Sequence, residues 1–251
     1  MGRAAAGIGL AVFVRSILLF VLLLGTAQAD TVRVAVAANF RAPLNALAEA
    51  FTGTHGHDLL ISAGSTGQLH AQIVHGAPFD VFLAADQARP LALIEAGLAE
   101  PGSLRTYAYG RLAAIALDPG LLSPEGPIFA RFRTLSIANP RTAPYGAAAL
   151  QVLEALGSPD WIRIAQAQSV AGVNAAVRAG AAEVGFAALS TVLPAGQTPY
   201  WQVPAYLHDP IRQDGVLLNR AADIGAARAF LDWLVGEEAR EVIKRHGYGV
   251  D

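Results

Sequence analysis

Cysteine is absent from the 251-residue sequence, and charged residues make up only 15% of it. Without cysteine, the chain can form neither a disulfide nor a lipid-modified amino-terminal cysteine. The chain also lacks an excess of positive charge, with 18 basic against 20 acidic residues. Because nucleic-acid-binding proteins carry a basic patch or stripe, this composition argues against a nucleic-acid partner.

The first 29 residues have the organisation of a secretory signal peptide. Arg3 and Arg15 supply positive charge, an apolar run covers Ile17–Gly25, and Ala29 ends an Ala-x-Ala cleavage motif. The uncharged stretch 16–29 is shorter than the roughly 20 residues that a membrane-spanning helix needs. We therefore expect cleavage after Ala29 and export, most naturally to a bacterial periplasm, of a soluble protein with net charge −4.

Strands and helices alternate along the first part of the exported chain. A β-branched, apolar strand ends in a small-residue turn at 37–39, and Leu44 and Phe51 follow at helical spacing. DLLISAG at 58–64 predicts a second strand, and FDVFLAA at 79–85 predicts a third that is apolar on both faces, as in a covered parallel sheet. This order predicts an α/β fold with a largely parallel sheet.

A second block of the same kind begins near residue 110. It holds a strand at 135–138, a helix at 147–156, a turn and helix from Ser169, and a strand at 183–189. The tail predicts two short helices, which we expect to pack back on the first block. The chain would then form two lobes, the first discontinuous at 30–109 plus 210–251 and the second continuous at 110–209.

Several loops between a strand and a helix are small or hydroxylic and carry no charge. They are Ala37-Ala38-Asn39, Ser65-Thr66-Gly67, Pro144-Tyr145-Gly146 and Ser169-Val170-Ala171. Free N–H groups at helix amino termini, together with the helix dipole, favour an anion without any formal positive charge. The alternative is that Ser65, Thr66 and Ser169 are ordinary helix caps.

These loops and their flanking strands resemble one known family. The segments VAVAANF, AGSTGQLHAQIVHGAPFDVFLAAD, ANPRTAPYGAAAL and VGFAALS are similar, in order and spacing, to the periplasmic molybdate-binding proteins of ABC importers. The resemblance covers nearly the whole exported chain, including the KRHGYGV tail, and QIVHGAPFDVFLAAD is its most specific part. It implies a two-lobed type II periplasmic binding protein, with each lobe a mostly parallel sheet flanked by helices and the ligand in the cleft between the lobes.

The resemblance also implies the ligand-binding residues. The positions are Ala38, Asn39, Thr66, Tyr145 and Val170, with Ala38 acting through its backbone. One branch of the family has serine at Asn39, a small residue at Tyr145 and tyrosine at the position of Ala188, so here the phenol comes from Tyr145. Whether Ser65 or Ala188 also contacts the ligand stays open.

The chemistry of these residues suits a fully ionised oxyanion. Asn amide, Thr and Tyr hydroxyl and backbone N–H groups all donate hydrogen bonds, and the loops hold no carboxylate to accept a proton. Molybdate, tungstate and sulfate fit such a site, whereas hydrogen phosphate fits it poorly. We expect a monomer that hands molybdate, or tungstate, to a membrane permease, with no enzymatic activity, no cofactor and no direct metal ligand.

Other functions have weaker support. A serine-dependent hydrolase would use Ser65 or Ser169 with His70 or His75, but no Gly-x-Ser-x-Gly motif is present and the two histidines do not share a helix face. The segment THGHD is a weak metal signal, and the three tryptophans stand too far apart in the sequence to predict a sugar platform.

Overall fold

A computed structural model provides the structure of the protein. The described residues are 30–193, 196, 198–221 and 225–250. The predicted signal peptide and its cleavage after Ala29 therefore lie outside the described residues. Within them, none of the helices combines the length and apolar character that crossing a membrane requires.

The first sheet has five strands. They are β1 (Thr31–Ala37), β2 (Asp58–Gly64), β3 (Val81–Leu83), β4 (Arg105–Gly110) and β12 (Ile211–Leu217). Their spatial order is β2-β1-β3-β12-β4. Only β12 runs opposite to the other four strands, so the sheet is mostly parallel, as predicted.

The second sheet also has five strands. Its strands are β5 (Leu112–Ala116), β8 (Thr134–Ala138), β9 (Arg163–Ala167), β10 (Val184–Ala188) and β11 (Tyr200–Gln202). The order is β11-β5-β10-β8-β9, and only β5 runs opposite to the rest. A small hairpin, β6 (Leu122–Ser123) with β7 (Gly126–Pro127), completes the strands.

Helices flank both sheets. They are α1 (Arg41–His55), α2 (Thr66–Val74), α3 (Ala88–Glu95), α4 (Pro144–Ala155), α5 (Val170–Arg178), α6 (Leu189–Val192), α7 (Gly225–Trp233) and α8 (Glu237–Arg245). The tail helices pack on the first sheet, because Phe230 of α7 and Ile243 of α8 share one buried cluster with Val34 and Leu44. A separate cluster fills the second lobe.

Two elements differ in length from their sequence-based predictions. Strand β3 spans three residues instead of the seven predicted at 79–85, and just before it the Asp80 carboxylate accepts a hydrogen bond from the Arg33 N–H. Helix α4 begins at Pro144, three residues before the predicted start. Proline is favoured at a first helical position because its fixed φ suits the helix and its missing N–H costs nothing there.

Candidate functional site

A small cavity lies between the two lobes. Its lining residues are Ala37, Ala38, Asn39, Gly64, Ser65, Thr66, Ala143, Tyr145, Ser169 and Val170. The first six end or follow strands β1 and β2 of the first lobe, and the other four lead into or begin helices α4 and α5 of the second. The structure thus brings together all five residues that the resemblance implies as ligand contacts.

The cavity wall offers hydrogen-bond donors and no carboxylate, histidine, lysine or arginine side chain. Among the described residues, no protein acceptor pairs with the backbone N–H of Asn39, Thr66 or Val170. Thr66 and Val170 are the first residues of two nine-residue helices, whose dipoles make their amino termini electropositive. Two helix starts, one from each lobe, therefore face one small uncharged space.

Ser65 and Ser169 cap these two helices. The Ser65 hydroxyl accepts from the N–H of Gln68, and the Gln68 side chain returns a bond to the Ser65 N–H, which completes a capping box. The Ser169 hydroxyl accepts from the N–H of Gly172 in the same way. The capping alternative is therefore confirmed for both serines, and neither hydroxyl is bonded to a histidine that could act as its base.

The Thr66 hydroxyl is buried at the cavity wall and has a fixed orientation. Its Oγ1 accepts a hydrogen bond from the N–H of Ala85 at 3.1 Å, and the side chain is 1% exposed. Because a hydroxyl has a single hydrogen besides its lone pairs, accepting from Ala85 leaves that hydrogen available to an acceptor in the cavity.

Tyr145 presents its phenol through a buried amide network. Its Oη accepts from Gln213 Nε2 at 3.0 Å and from Asn39 Nδ2 at 3.5 Å. Burial raises the pKa of Tyr145 well above its ordinary value, and nearby Tyr248 and Tyr107 raise it further. The phenol therefore stays neutral and protonated, as a hydrogen-bond donor to an anion must be.

Asn39 acts differently from the sequence-based prediction, in which its side-chain amide donates to the ligand. Asn39 Nδ2 donates to Gln213 Oε1 at 2.9 Å and to Tyr248 Oη at 3.0 Å. An amide nitrogen carries two hydrogens, and the Tyr145 hydroxyl at 3.5 Å is a third acceptor within reach, so protein groups occupy both hydrogens. The correction is that the side chain holds the loop in place and that the donor Asn39 presents to the cavity is its backbone N–H.

Four residues behind the cavity were missed from the sequence: Tyr107, Ser190, Gln213 and Tyr248. The Tyr248 hydroxyl lies 2.8 Å from Asn39 O and 2.9 Å from Ser190 Oγ. Burial raises the pKa of Tyr248. Two signals for these residues were present, a polar Arg-Gln-Asp run inside the final strand and the tyrosine in the KRHGYGV tail.

Ala188 does not line the cavity. It is fully buried at the end of β10, and its carbonyl accepts from the Thr191 hydroxyl. None of the three tryptophans lines the cavity either, and the described residues contain no cluster of three His, Asp or Glu side chains that could hold a metal ion.

Direct hydrogen bonds join the two lobes at the mouth of the cavity. Gly67 N–H donates to Thr142 O at 2.8 Å, and Arg89 Nη2 donates to Arg141 O at 2.8 Å. Gln68 and Gln168 lie across the same opening. These contacts hold the two lobes together beside the cavity, so the structure is a closed form.

Comparison with known proteins agrees with this architecture. Residues 32–249 match the family of bacterial extracellular solute-binding proteins. The chain belongs to that family. The match extends over both lobes.

Individual members of the family are similar over most of their length. The molybdate-binding protein ModA of Azotobacter vinelandii is 45% identical over 236 residues, which is 91% of this chain and 94% of that protein. ModA of Rhodobacter capsulatus is 40% identical over 225 residues, or 88% and 89%. The solved structure of the Azotobacter vinelandii periplasmic molybdate-binding protein has a TM-score of 0.83 at 39% identity and covers 88% of this solute-binding protein and 99% of that chain. The type II periplasmic binding protein fold is therefore confirmed.

Proposed function

We propose that this chain captures molybdate, and tungstate as well, outside the cytoplasm and delivers it to the membrane permease of an ABC importer. The observation that carries the proposal is the interlobe cavity lined by neutral hydrogen-bond donors from both lobes. The similarity to two molybdate-binding proteins at 40% identity or more supports the same ligand.

The proposed ligand contacts are Ala38, Asn39, Thr66, Tyr145 and Val170. Backbone N–H groups supply the donors at Asn39 and Val170, and hydroxyls add donors at Thr66 and Tyr145. The first lobe is proposed to comprise 30–109 plus 210–251 and the second 110–209, so each lobe contributes ligand contacts. In this proposal the signal peptide ends at Ala29, and the exported protein works as a periplasmic monomer without a cofactor.

The absence of a carboxylate from the cavity wall favours a fully ionised anion. A dianion such as molybdate, tungstate or sulfate offers only acceptors, and donors on every side satisfy it. Hydrogen phosphate carries a proton that needs an acceptor, and leaving a buried donor unsatisfied costs about 1–3 kcal/mol. The site should therefore discriminate against phosphate, while cavity size separates molybdate from sulfate.

Titration calorimetry with molybdate, tungstate, sulfate and phosphate tests the proposal. We expect molybdate and tungstate to bind one per chain and phosphate to bind at least tenfold more weakly, from the cost of one unsatisfied group. Phosphate that competes on equal terms with molybdate would contradict the proposal, and tight binding of sulfate alone would reassign the ligand.

Molybdate affinity should also be nearly constant between about pH 6.5 and 8.5. Burial lowers the pKa of His70 and Arg89 lowers it further, although Asp86 acts in the opposite direction, and this histidine does not line the cavity. Burial raises the pKa values of Tyr107, Tyr145 and Tyr248, so the phenols keep their protons. A steep change of affinity with pH would place a titrating group in the site.

Removing a single hydroxyl should weaken binding without unfolding the protein. Thr66→Ala and Tyr145→Phe each delete one neutral donor to a charged acceptor, so we expect molybdate affinity to fall roughly three- to hundredfold. Thr54→Ala and Tyr206→Phe are matched controls, since both side chains are exposed. Calorimetry on the four variants decides the point, and parental affinity in both site variants would show that the anion binds elsewhere.

A further inference from the structure

Gln213 lies at the centre of the network behind the proposed site. It is fully buried on β12. The register between β12 and β4 shifts next to Gln213, so that Tyr107 is skipped in the strand pairing. Its Oε1 accepts from Asn39 Nδ2 at 2.9 Å and lies 3.0 Å from the Tyr107 hydroxyl, while its Nε2 donates to Tyr145 Oη at 3.0 Å. A single amide thus bonds to residues of both lobes.

The neighbours of Gln213 determine which way its amide points. Asn39 reaches it with a nitrogen that can only donate, so the Gln213 oxygen must face Asn39 and the nitrogen must face Tyr145. The Tyr145 oxygen, by accepting from that nitrogen, uses a lone pair on the protein side. Its hydrogen is then directed away from Gln213.

We propose that Gln213 is the positioning residue that sets the hydrogen-bond polarity of the anion site. It makes Tyr145 a donor, and it holds Asn39 so that the Asn39 backbone N–H, rather than its side chain, faces the cavity. Gln213 itself does not line the cavity, so it acts on the ligand through these two residues. The inference rests on the proposed function, because it explains why the site presents donors only.

A carboxylate at this position would reverse the polarity. An ionised Glu has acceptors only, so it would accept the Tyr145 hydrogen, withdraw that donor from the cavity and place a negative charge behind the anion. A protonated Glu keeps one donor and one acceptor and can reproduce the pattern of glutamine. Burial raises the pKa of a carboxyl group, so the exchange between the two forms should occur near neutral pH.

The surroundings of Gln213 contain few groups that could titrate instead. Tyr107, Tyr145 and Tyr248 have pKa values raised by burial. Asp214, the next residue, is buried against Thr106 and lies 3.3 Å from Arg212. A pH dependence that appears only in a Gln213→Glu variant would therefore come from the new carboxyl.

The experiment measures molybdate affinity of Gln213→Glu, Gln213→Met and the parent by calorimetry between about pH 6 and 9. In the Glu variant we expect affinity at the alkaline end to fall roughly ten- to hundredfold, the cost of one hydrogen bond to a charged group, and to recover on acidification. Gln213→Met should be weak at every pH. Gln202→Glu, an exposed position on β11, controls for added charge and should behave like the parent.

Each outcome decides the inference. Circular dichroism and melting curves confirm that each variant is folded at each pH, so a merely structural role for Gln213 would lower stability without creating a pH dependence of affinity. Parental affinity of Gln213→Glu across the range, with the parent binding molybdate, overturns the positioning role and leaves the proposed function intact. A parent that binds none of the four oxyanions overturns both.

Discussion

Gly110→Ala is expected to reduce molybdate affinity roughly ten- to hundredfold, the cost of one hydrogen bond to a charged group. Gly110 ends β4, where the chain crosses to the second lobe. A methyl group on Gly110 would collide with the Tyr145 hydroxyl and lie 2.7 Å from Gln213 Nε2. Both contacts are side-chain tips rather than backbone, so the phenol and the amide should move while the fold survives.

Overpacking by the added methyl group should also lower the stability of Gly110→Ala. A forced shift of buried side chains costs about 1–3 kcal/mol, which for a chain of this size lowers Tm by roughly 2–12 °C. Calorimetry and melting curves measure the two effects. Gly102→Ala is the matched control, because a Cβ there would have nothing within 4 Å. Unchanged affinity in Gly110→Ala would show that Tyr145 does not need its present position to bind the anion.

Gly67→Ala is expected to weaken molybdate binding about five- to hundredfold without destabilising the unliganded protein. The added methyl group is overpacked only when the lobes are closed, and such overpacking costs about 1–3 kcal/mol. In the closed form a Cβ on Gly67 would lie 2.9 Å from Thr142 Cα, across the cleft. The same residue donates the 2.8 Å bond to Thr142 O. Separating the lobes removes the collision.

The stability of unliganded Gly67→Ala distinguishes a variant whose lobes cannot close from a variant whose fold is damaged. Replacing a helical glycine with alanine stabilises by about 0.5–1 kcal/mol, so unliganded Gly67→Ala should melt at or above the parental temperature. Gly53→Ala, in α1 with nothing within 4 Å of its Cβ, should share the stabilisation and keep full affinity. Small-angle scattering with molybdate should show a more open Gly67→Ala protein than the parent. Parental affinity and scattering would contradict the closure requirement.

Local sequence patterns were sufficient to predict the architecture and the loops of the site. Apolar runs and helical spacing indicated the main strands and helices of both sheets, because these periodicities depend on neighbours a few residues apart. Uncharged, hydroxylic turns before helices indicated where free N–H groups would face a ligand. The choice of Thr66, Tyr145 and Val170 as ligand contacts came from the family resemblance, and the uncharged turns before their helices agreed with it.

The tertiary structure decided how those loops are held and which atoms face the cavity. Asn39 meets Gln213, 174 positions away, and Tyr248, 209 positions away, and no local spacing encodes such partners. Both hydrogens of the Asn39 amide are therefore occupied, although its residue type alone suggested a ligand donor. The sequence by itself predicted two lobes with neutral donors between them. The direction of these donors was decided only by the fold, which packs the buried amide of Gln213 against the phenols of Tyr107 and Tyr145. Which group donates in a hydrogen bond depends on every partner that the fold brings together.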